Sequence, residues 1–329
     1  MECLLIIGLM EKPWNTANYL VTAASNLGFR VVSFDPLSEG ASLDALERQI
    51  KAHRPTYALI QRGHGFSVEW NEALKRQGLF TLLWYPDPDV PDWLVPLAKS
   101  VDFFFTMAEG NIPKWKEAGI KQIAWLSQGF EPSSFKIDSI SEEDRRFYGS
   151  EVAFVGNIDS TNHYLSRRYK LKRVLREGFD LKWWGPRLGR KPVNLPIFFS
   201  ALGRAYGGKF VYGPEYAKVV QSSKILLALD RHTHIRLSMS ARMYTAVGCG
   251  AFYMCEAMEG LETMLVPDKE IVTFKGDDEM IDKIRYYLPR ESERSAIARA
   301  GQERVLREHT YQKRLERMFQ IVQNRSSVA

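Results

Sequence analysis

Short apolar runs rich in β-branched and aromatic residues alternate along this chain with stretches whose apolar residues recur every three or four positions. That alternation predicts parallel βαβ units. In the first half it places strands at 3–9, 31–34, 57–60, 79–84, 102–106 and 122–126. Between the first two, Leu20, Ala23, Ala24 and Leu27 form a helical stripe, with Thr16 placed to cap it and Gly28 to end it. The polar stretch 131–149 reads as an irregular linker. Strands resume at 151–156, 181–184, 209–212, 225–229, 251–254 and 271–274, and helices fit 162–177, 214–223, 277–288 and 291–308. The last segment lines up Tyr311, Leu315, Met318, Phe319 and Val322 as a stripe that needs an apolar surface to dock on. The economical architecture is α/β, with two doubly wound domains, a cleft between them, and ligands at the carboxyl ends of the strands.

Length and composition agree with this picture. A chain of 329 residues suits two domains of about 150 residues each. Its 45% hydrophobic and 26% charged content is that of a soluble globular protein. No apolar run reaches the roughly 18 residues that cross a bilayer. The opening Met1–Ile7 has no basic lead and reads as a first strand, not a signal peptide. Cys3, Cys249 and Cys255 are odd in number and lack metal-ligand spacing, which points to a reducing, cytoplasmic setting. Charge divides unevenly: residues 1–150 carry 15 Lys and Arg against 19 Asp and Glu, and residues 151–329 carry 30 against 20. The basic half is the one suited to a phosphorylated ligand. A plain solvated basic surface fits the same numbers.

The strongest candidate for chemistry runs from Arg242 to Met254. A short helix at 240–247 is followed by Gly248 and Gly250 and then by an apolar strand. Arg242 stands at the helix start, where a guanidinium and backbone N–H groups converge on one anion. Gly156 and Asn157 follow a strand and precede Arg167, Arg168 and Lys170, a second arrangement suited to phosphate. Arg236 joins Arg242 if the intervening loop folds back, and Tyr212 at another strand end suits a base pocket. In the first half, His64 follows a strand and suits hydroxyl binding or proton transfer. The Trp84–Asp89 loop brings carboxylates, Asp87 among them, beside aromatic rings, a mixture that suits sugars. His232 and His234 lack the further ligands a metal needs. No Walker loop, nucleophile elbow or complete dinucleotide fingerprint is present.

These segments together resemble the CgeB-like, spore maturation protein type branch of the group 1 glycosyltransferases. The likeness rests on Glu151-Val-Ala-Phe-Val-Gly-Asn157, Ser223-Lys-Ile-Leu-Leu-Ala-Leu229 and Arg242-Met-Tyr-Thr-Ala-Val-Gly-Cys-Gly-Ala-Phe252. It continues through Pro267–Phe274, Ile284–Pro289 and Ala300–Tyr311, and in the first half through Trp84–Pro88, Val101–Thr106 and Leu126–Pro132.

The resemblance implies a GT-B fold of two Rossmann-like domains: an acceptor domain over 1–147, a nucleotide-sugar donor domain over 148–310, and a return helix over 311–329 packing on the first. It implies sugar transfer from a nucleotide-diphosphate sugar, UDP-sugar favoured, to an unidentified acceptor, with retention of configuration and no bound metal or other cofactor. Arg242 matches the arginine that stabilises the departing diphosphate. His64 and Asp87 are placed near the transferred sugar, and Gly156, Asn157, Arg168, Tyr212, Arg236 and Thr245 with the donor. Thr245 stands where relatives often carry a ribose-binding glutamate, and position 237 is Leu in place of the first of a glutamate pair. Those departures motivate a rival reading, a catalytically silent GT-B scaffold for binding or surface assembly. The sequence pI of about 9.1 motivates a second, glycosylation of modified DNA bases.

Overall fold

The computed structural model describes residues 2–159, 164–189, 191–230 and 232–326, the side chains of 325 and 326 excepted. Contacts divide the chain into two compact units. The first comprises Met1–Glu131, His234–Ala241 and His309–Ala329; the second comprises Pro132–Thr233 and Arg242–Glu308.

In the first unit, six strands form one parallel sheet: β1 Cys3–Ile7, β2 Arg30–Phe34, β3 Tyr57–Gln61, β4 Phe80–Tyr85, β5 Phe103–Thr106 and β6 Ile123–Trp125. Their order is β2-β1-β3-β4-β5-β6. Every residue of β1 is buried, because helices cover both faces of the sheet. Leu5 and Ile7 enter one core with Ile60, Leu83 and Phe104, while Leu4 and Ile6 enter the other with Leu59, Trp84 and Phe105. That second core is completed by the helix Tyr311–Ser326, which contributes Tyr311, Leu315, Met318, Phe319 and Val322. Phe319 stacks on Phe29 with ring centroids 5.0 Å apart, and Tyr311 meets Trp84 edge-on. The expected terminal stripe therefore docks on the N-terminal sheet.

In the second unit, five strands form a parallel sheet: β7 Val152–Val155, β8 Leu181–Trp184, β9 Ile225–Ala228, β10 Tyr253–Glu256 and β11 Val272–Phe274. Their order is β11-β10-β9-β7-β8. In both sheets, chain connections leave the first strand in opposite directions, so a topological switch point lies between β1 and β3 and another between β7 and β9.

Several local expectations differ from the structure. The expected strand at 209–212 is irregular; the pairing with β8 comes earlier, where Tyr206 bridges to Trp183 and Gly207 N donates to Trp183 O at 2.8 Å. The expected linker contains a 3-10 turn, Pro132–Phe135, and a helix, Glu142–Tyr148, that group with the second unit and not the first. Its polar residues are capping residues: Ser141 and Asp144 exchange hydrogen bonds in a capping box, and Asp144 Oδ1 pairs with Lys218 at 2.8 Å. The first and second units meet at 131/132, the start of the polar stretch 131–149. The first helix is Thr16–Asn26 with Asn15 at its cap position, and Thr16 is its first helical residue, not its cap. The helix expected from 162 is Leu165–Arg176, and 162–163 lie outside the described residues.

Candidate functional site

At the switch point of the second unit, β7 ends in Gly156, whose N–H donates to Trp184 O at 2.8 Å. A β-carbon there would sit 2.8 Å from Phe154 Cζ and 3.6 Å from Arg242 Nη1. A β-carbon on Gly185, at the end of β8, would come within 2.3 Å of Gly156 O. Two neighbouring strand ends therefore pass backbone against backbone, which only glycine allows. Asn157 Oδ1 accepts from Asp159 N at 2.8 Å and closes the turn that follows.

Two of the cations expected to meet phosphate, Arg167 and Arg168, hydrogen-bond this loop. Arg167 Nε donates to Leu229 O at 2.8 Å and Nη1 to Asn157 O at 3.0 Å, tying the ends of β9 and β7 across the switch point. Arg168 is buried. Its Nε donates to Ile158 O at 2.5 Å and its Nη2 to Asn194 Oδ1 at 2.7 Å, and burial holds its pKa below the ordinary arginine value. Lys170 pairs with Asp277 at 2.7 Å and Glu256 at 3.0 Å. Charge was readable in the sequence for all three, and burial was not.

Arg242 differs from them. It lies in the first turn of the helix Ala241–Gly248, partly buried, with Nη1 3.8 Å from Asp230 Oδ1. That separation is an ion pair but too long for a hydrogen bond, and Nη1 is buried without a hydrogen-bond partner. The hydroxyls of Tyr216 and Tyr253 are also buried without one, and burial pushes the pKa of both well up, so they remain neutral donors. Buried polar atoms are rarely left unsatisfied, so this cluster is suited to receive acceptors. Sequence reasoning missed Asp230, Tyr216 and Tyr253; the one available signal was Asp230 standing just beyond β9, as Asn157 stands beyond β7. Thr245 lies one turn after Arg242 on the same helix, partly exposed. Tyr212 meets Phe135 edge-on at 5.5 Å, just before Gly213, whose φ of +57° starts the helix Pro214–Ser222.

Arg236 belongs to the first unit, where it pairs with Glu109 and its carbonyl accepts from Gly110 N at 3.0 Å. His234 falls in that unit and His232 in the second. Among the described residues, no three His, Cys, Asp or Glu side chains gather into a group that could hold a metal ion.

The first unit has its own constellation at its switch point. After β3 the backbone turns through positive φ at Arg62 (+71°), Gly63 (+88°) and Gly65 (+74°), which carries His64 to the surface. Arg62 forms an ion pair with Asp87, and the His64 ring lies 5.0 Å from that of Trp93. Burial first, then the Arg62 charge, lower the His64 pKa from 6.5, while Asp87 opposes them. His64 and Asp87, expected together, do share one electrostatic neighbourhood. Gln128 Nε2 donates to Pro86 O at 2.7 Å and Asn111 Nδ2 to Pro88 O, holding the carbonyls on either side of Asp87. Tyr311 from the terminal helix donates to Gln128 Oε1 at 3.1 Å.

Residues 167–320 match a family model described as glycosyl transferase-like. No curated protein matches the chain. Among solved structures it is similar to sucrose-phosphate synthase from Thermosynechococcus elongatus, at 11% identity over 100% of both chains with a TM-score of 0.69. It is similar to Anabaena Alr3699/HepE, solved in complex with UDP and glucose, at 10% identity over 98% of this chain and 100% of that one, TM-score 0.69. A protein from Listeria monocytogenes provisionally assigned as a UDP-N-acetylglucosamine 2-epimerase is similar at 10% identity over 100% and 98%, TM-score 0.59. At such identities the structural likeness establishes the fold, a GT-B-type pair of α/β sheets. The family match adds the class of chemistry: the chain is a glycosyltransferase enzyme. No helix among the described residues is long and apolar enough to cross a membrane.

Proposed function

We propose that this enzyme transfers a sugar from a nucleotide-diphosphate sugar, with Arg242 and the first turn of its helix receiving the diphosphate. The observation that carries the reading is the buried, hydrogen-bond-free Arg242 Nη1 beside Gly156 at a switch point. A guanidinium there neutralises charge as it develops on the departing diphosphate, which is where a preorganised cation lowers the barrier most. Tyr216 and Tyr253 supply neutral donors nearby, and Thr245 offers a hydroxyl in place of a ribose-binding carboxylate.

UDP is the favoured nucleotide, as in the complex of Alr3699/HepE. Transfer with retention, independence of metal and cofactor and membership of the CgeB-like branch complete the proposal and rest on the family resemblance, while a cytoplasmic location rests on the three scattered cysteines. His64 and Asp87 are assigned to the sugar, His64 as a neutral imidazole that binds a hydroxyl or carries a proton. The remaining donor assignments change in kind. Asn157 and Arg168 shape the loop, and Arg236 acts within the first unit.

Calorimetric titration with a panel of nucleoside diphosphates tests this. The wild type is expected to bind UDP, and Arg242→Ala to lose binding at least tenfold with an unchanged circular dichroism spectrum. Equal affinities in the two proteins would overturn the assignment. Incubation with UDP-sugars separates the rival readings: donor turnover excludes a silent scaffold, and a gel shift with duplex DNA tests the DNA-base reading.

A further inference from the structure

The segment after β8 inverts the usual arrangement of apolar residues. Over residues 192–199 the inward positions are Asn194 and Ile197, three apart on one helical face. Asn194 is fully buried: its Nδ2 donates to Gly189 O at 2.8 Å and Asp159 Oδ1 at 3.1 Å, and its Oδ1 accepts from Arg168. Ile197 enters the core of the second unit. The positions left outside, normally polar, are large and apolar: Val193 is 55% exposed, Leu195 50%, Phe198 41% and Phe199 85%. Four such residues within seven positions concentrate exposed apolar side chains on one short segment, unlike singly scattered ones.

The charge carried by the segment itself has one sign. Residues 181–214 contain six Lys or Arg and no Asp or Glu. Arg187, Lys191 and Arg204 are exposed within it, Lys191 lying 3.7 Å from Asp159 Oδ2. Phe198 and Arg187 also flank a cavity of about 280 Å³ lined by Trp183, Leu188, Ile197 and Tyr206. Exposed apolar side chains beside Arg187, Lys191 and Arg204, with Asp159 facing only Lys191 of the three, suit the boundary between anionic headgroups and acyl chains.

We propose that this face of the second unit, residues 187–204, docks on an anionic lipid bilayer. Val193, Leu195, Phe198 and Phe199 enter the acyl boundary, while Arg187, Lys191 and Arg204 meet the headgroups. The protein lies on the surface and does not span it. Ser200, whose Oγ donates to Ile197 O at 2.8 Å, and the buried Asn194 fix the backbone, so the outward residues can change without disturbing the core.

Co-sedimentation of the full chain with extruded phosphatidylcholine vesicles, with and without roughly a third phosphatidylglycerol, tests the proposal. The wild type should bind the anionic vesicles, neutral vesicles should bind it at least tenfold less, and salt should weaken the binding. The Phe198→Ser/Phe199→Ser and Arg187→Glu/Lys191→Glu variants should each lose at least tenfold in partitioning with unchanged melting profiles. A Phe199→Cys variant carrying an environment-sensitive dye gives an independent readout, because position 199 is too exposed to matter for folding and the natural cysteines are buried. Its emission should shift to the blue on anionic vesicles. Equal binding to neutral vesicles, unaltered binding by the variants, an unshifted dye, or self-association in place of vesicle binding would each overturn the proposal.

Discussion

Arg242 Nη1 lies 3.6 Å from the point where a β-carbon on Gly156 would stand. The strand-end glycine and the arginine proposed for the diphosphate thus share one small volume, with the Phe154 ring on its other side. Gly156→Ala is expected to displace the Phe154 ring, whose Cζ would lie 2.8 Å from the new β-carbon, and to narrow the space beside Arg242. It should weaken nucleotide binding roughly tenfold and lower stability by about 1–3 kcal/mol, the usual range for overpacking. Calorimetry and chemical denaturation measure the two effects separately, and wild-type affinity in the variant would disconnect Gly156 from the site.

The His64 environment favours the neutral imidazole, through burial first and Arg62 second. The native state therefore binds fewer protons at this position than the unfolded chain does. The resulting stability is complete above the ordinary value of 6.5 and is lost as pH falls from there toward the lower folded value. NMR titration should place the His64 midpoint below 6.5. Asp87→Asn should move it further down and Arg62→Ala should move it up.

Arg167 bridges Asn157 O and Leu229 O across the switch point of the second unit. Arg167→Met keeps the stem of the side chain but leaves both carbonyls without this donor. Leaving buried acceptors unpaired costs about 1–3 kcal/mol per group, so the melting temperature should drop and nucleotide affinity with it. Arg167→Lys should recover only part, since one ammonium does not reproduce the planar fork.

All three thiols are free and buried, and burial pushes Cys249 up to about 12 and Cys255 also well up. Thiolate is the reactive form, so a thiol-specific reagent at pH 8 should titrate them slowly in the native protein and fully in denaturant. A fast-reacting Cys249 or Cys255 in the folded state, identified by peptide mapping, would contradict the packing around β10.

Most strands and the long helices could be read from hydrophobic periodicity, because parallel strands covered on both faces are continuous apolar runs bounded by turns. The stripe of Tyr311, Leu315 and Met318 was legible for the same reason, while its place on the first unit followed from the family resemblance. Expectations diverged where polar residues act structurally. Ser141 and Asp144 look like linker residues but cap a helix. Arg168 looks like a phosphate ligand but is enclosed by Ile158 O and Asn194. Arg236 and Arg242 are close in sequence, yet a positive φ at Leu237 accompanies a turn that belongs with Glu109 and Trp125. A charge in a sequence announces its type, and only packing determines what it meets.

The terminal helix should matter to the fold of the first unit as much as any of its strands. Leu315 is fully buried, and Leu315→Ala should cost about 2–5 kcal/mol, read by urea denaturation. Tyr311→Phe should cost only about 1 kcal/mol through its bond to Gln128, while loosening the Asp87 loop enough to lower turnover.

That helix also reverses the order in which the chain can mature. The first unit is synthesised first, but its second hydrophobic core lacks one wall until the residues after His309 have emerged. The second unit has all of its residues by Glu308. On the ribosome, the N-terminal sheet therefore waits with part of one apolar face, beside the helix Thr16–Asn26, uncovered while the later unit closes, so the half made first is the half most in need of protection during synthesis.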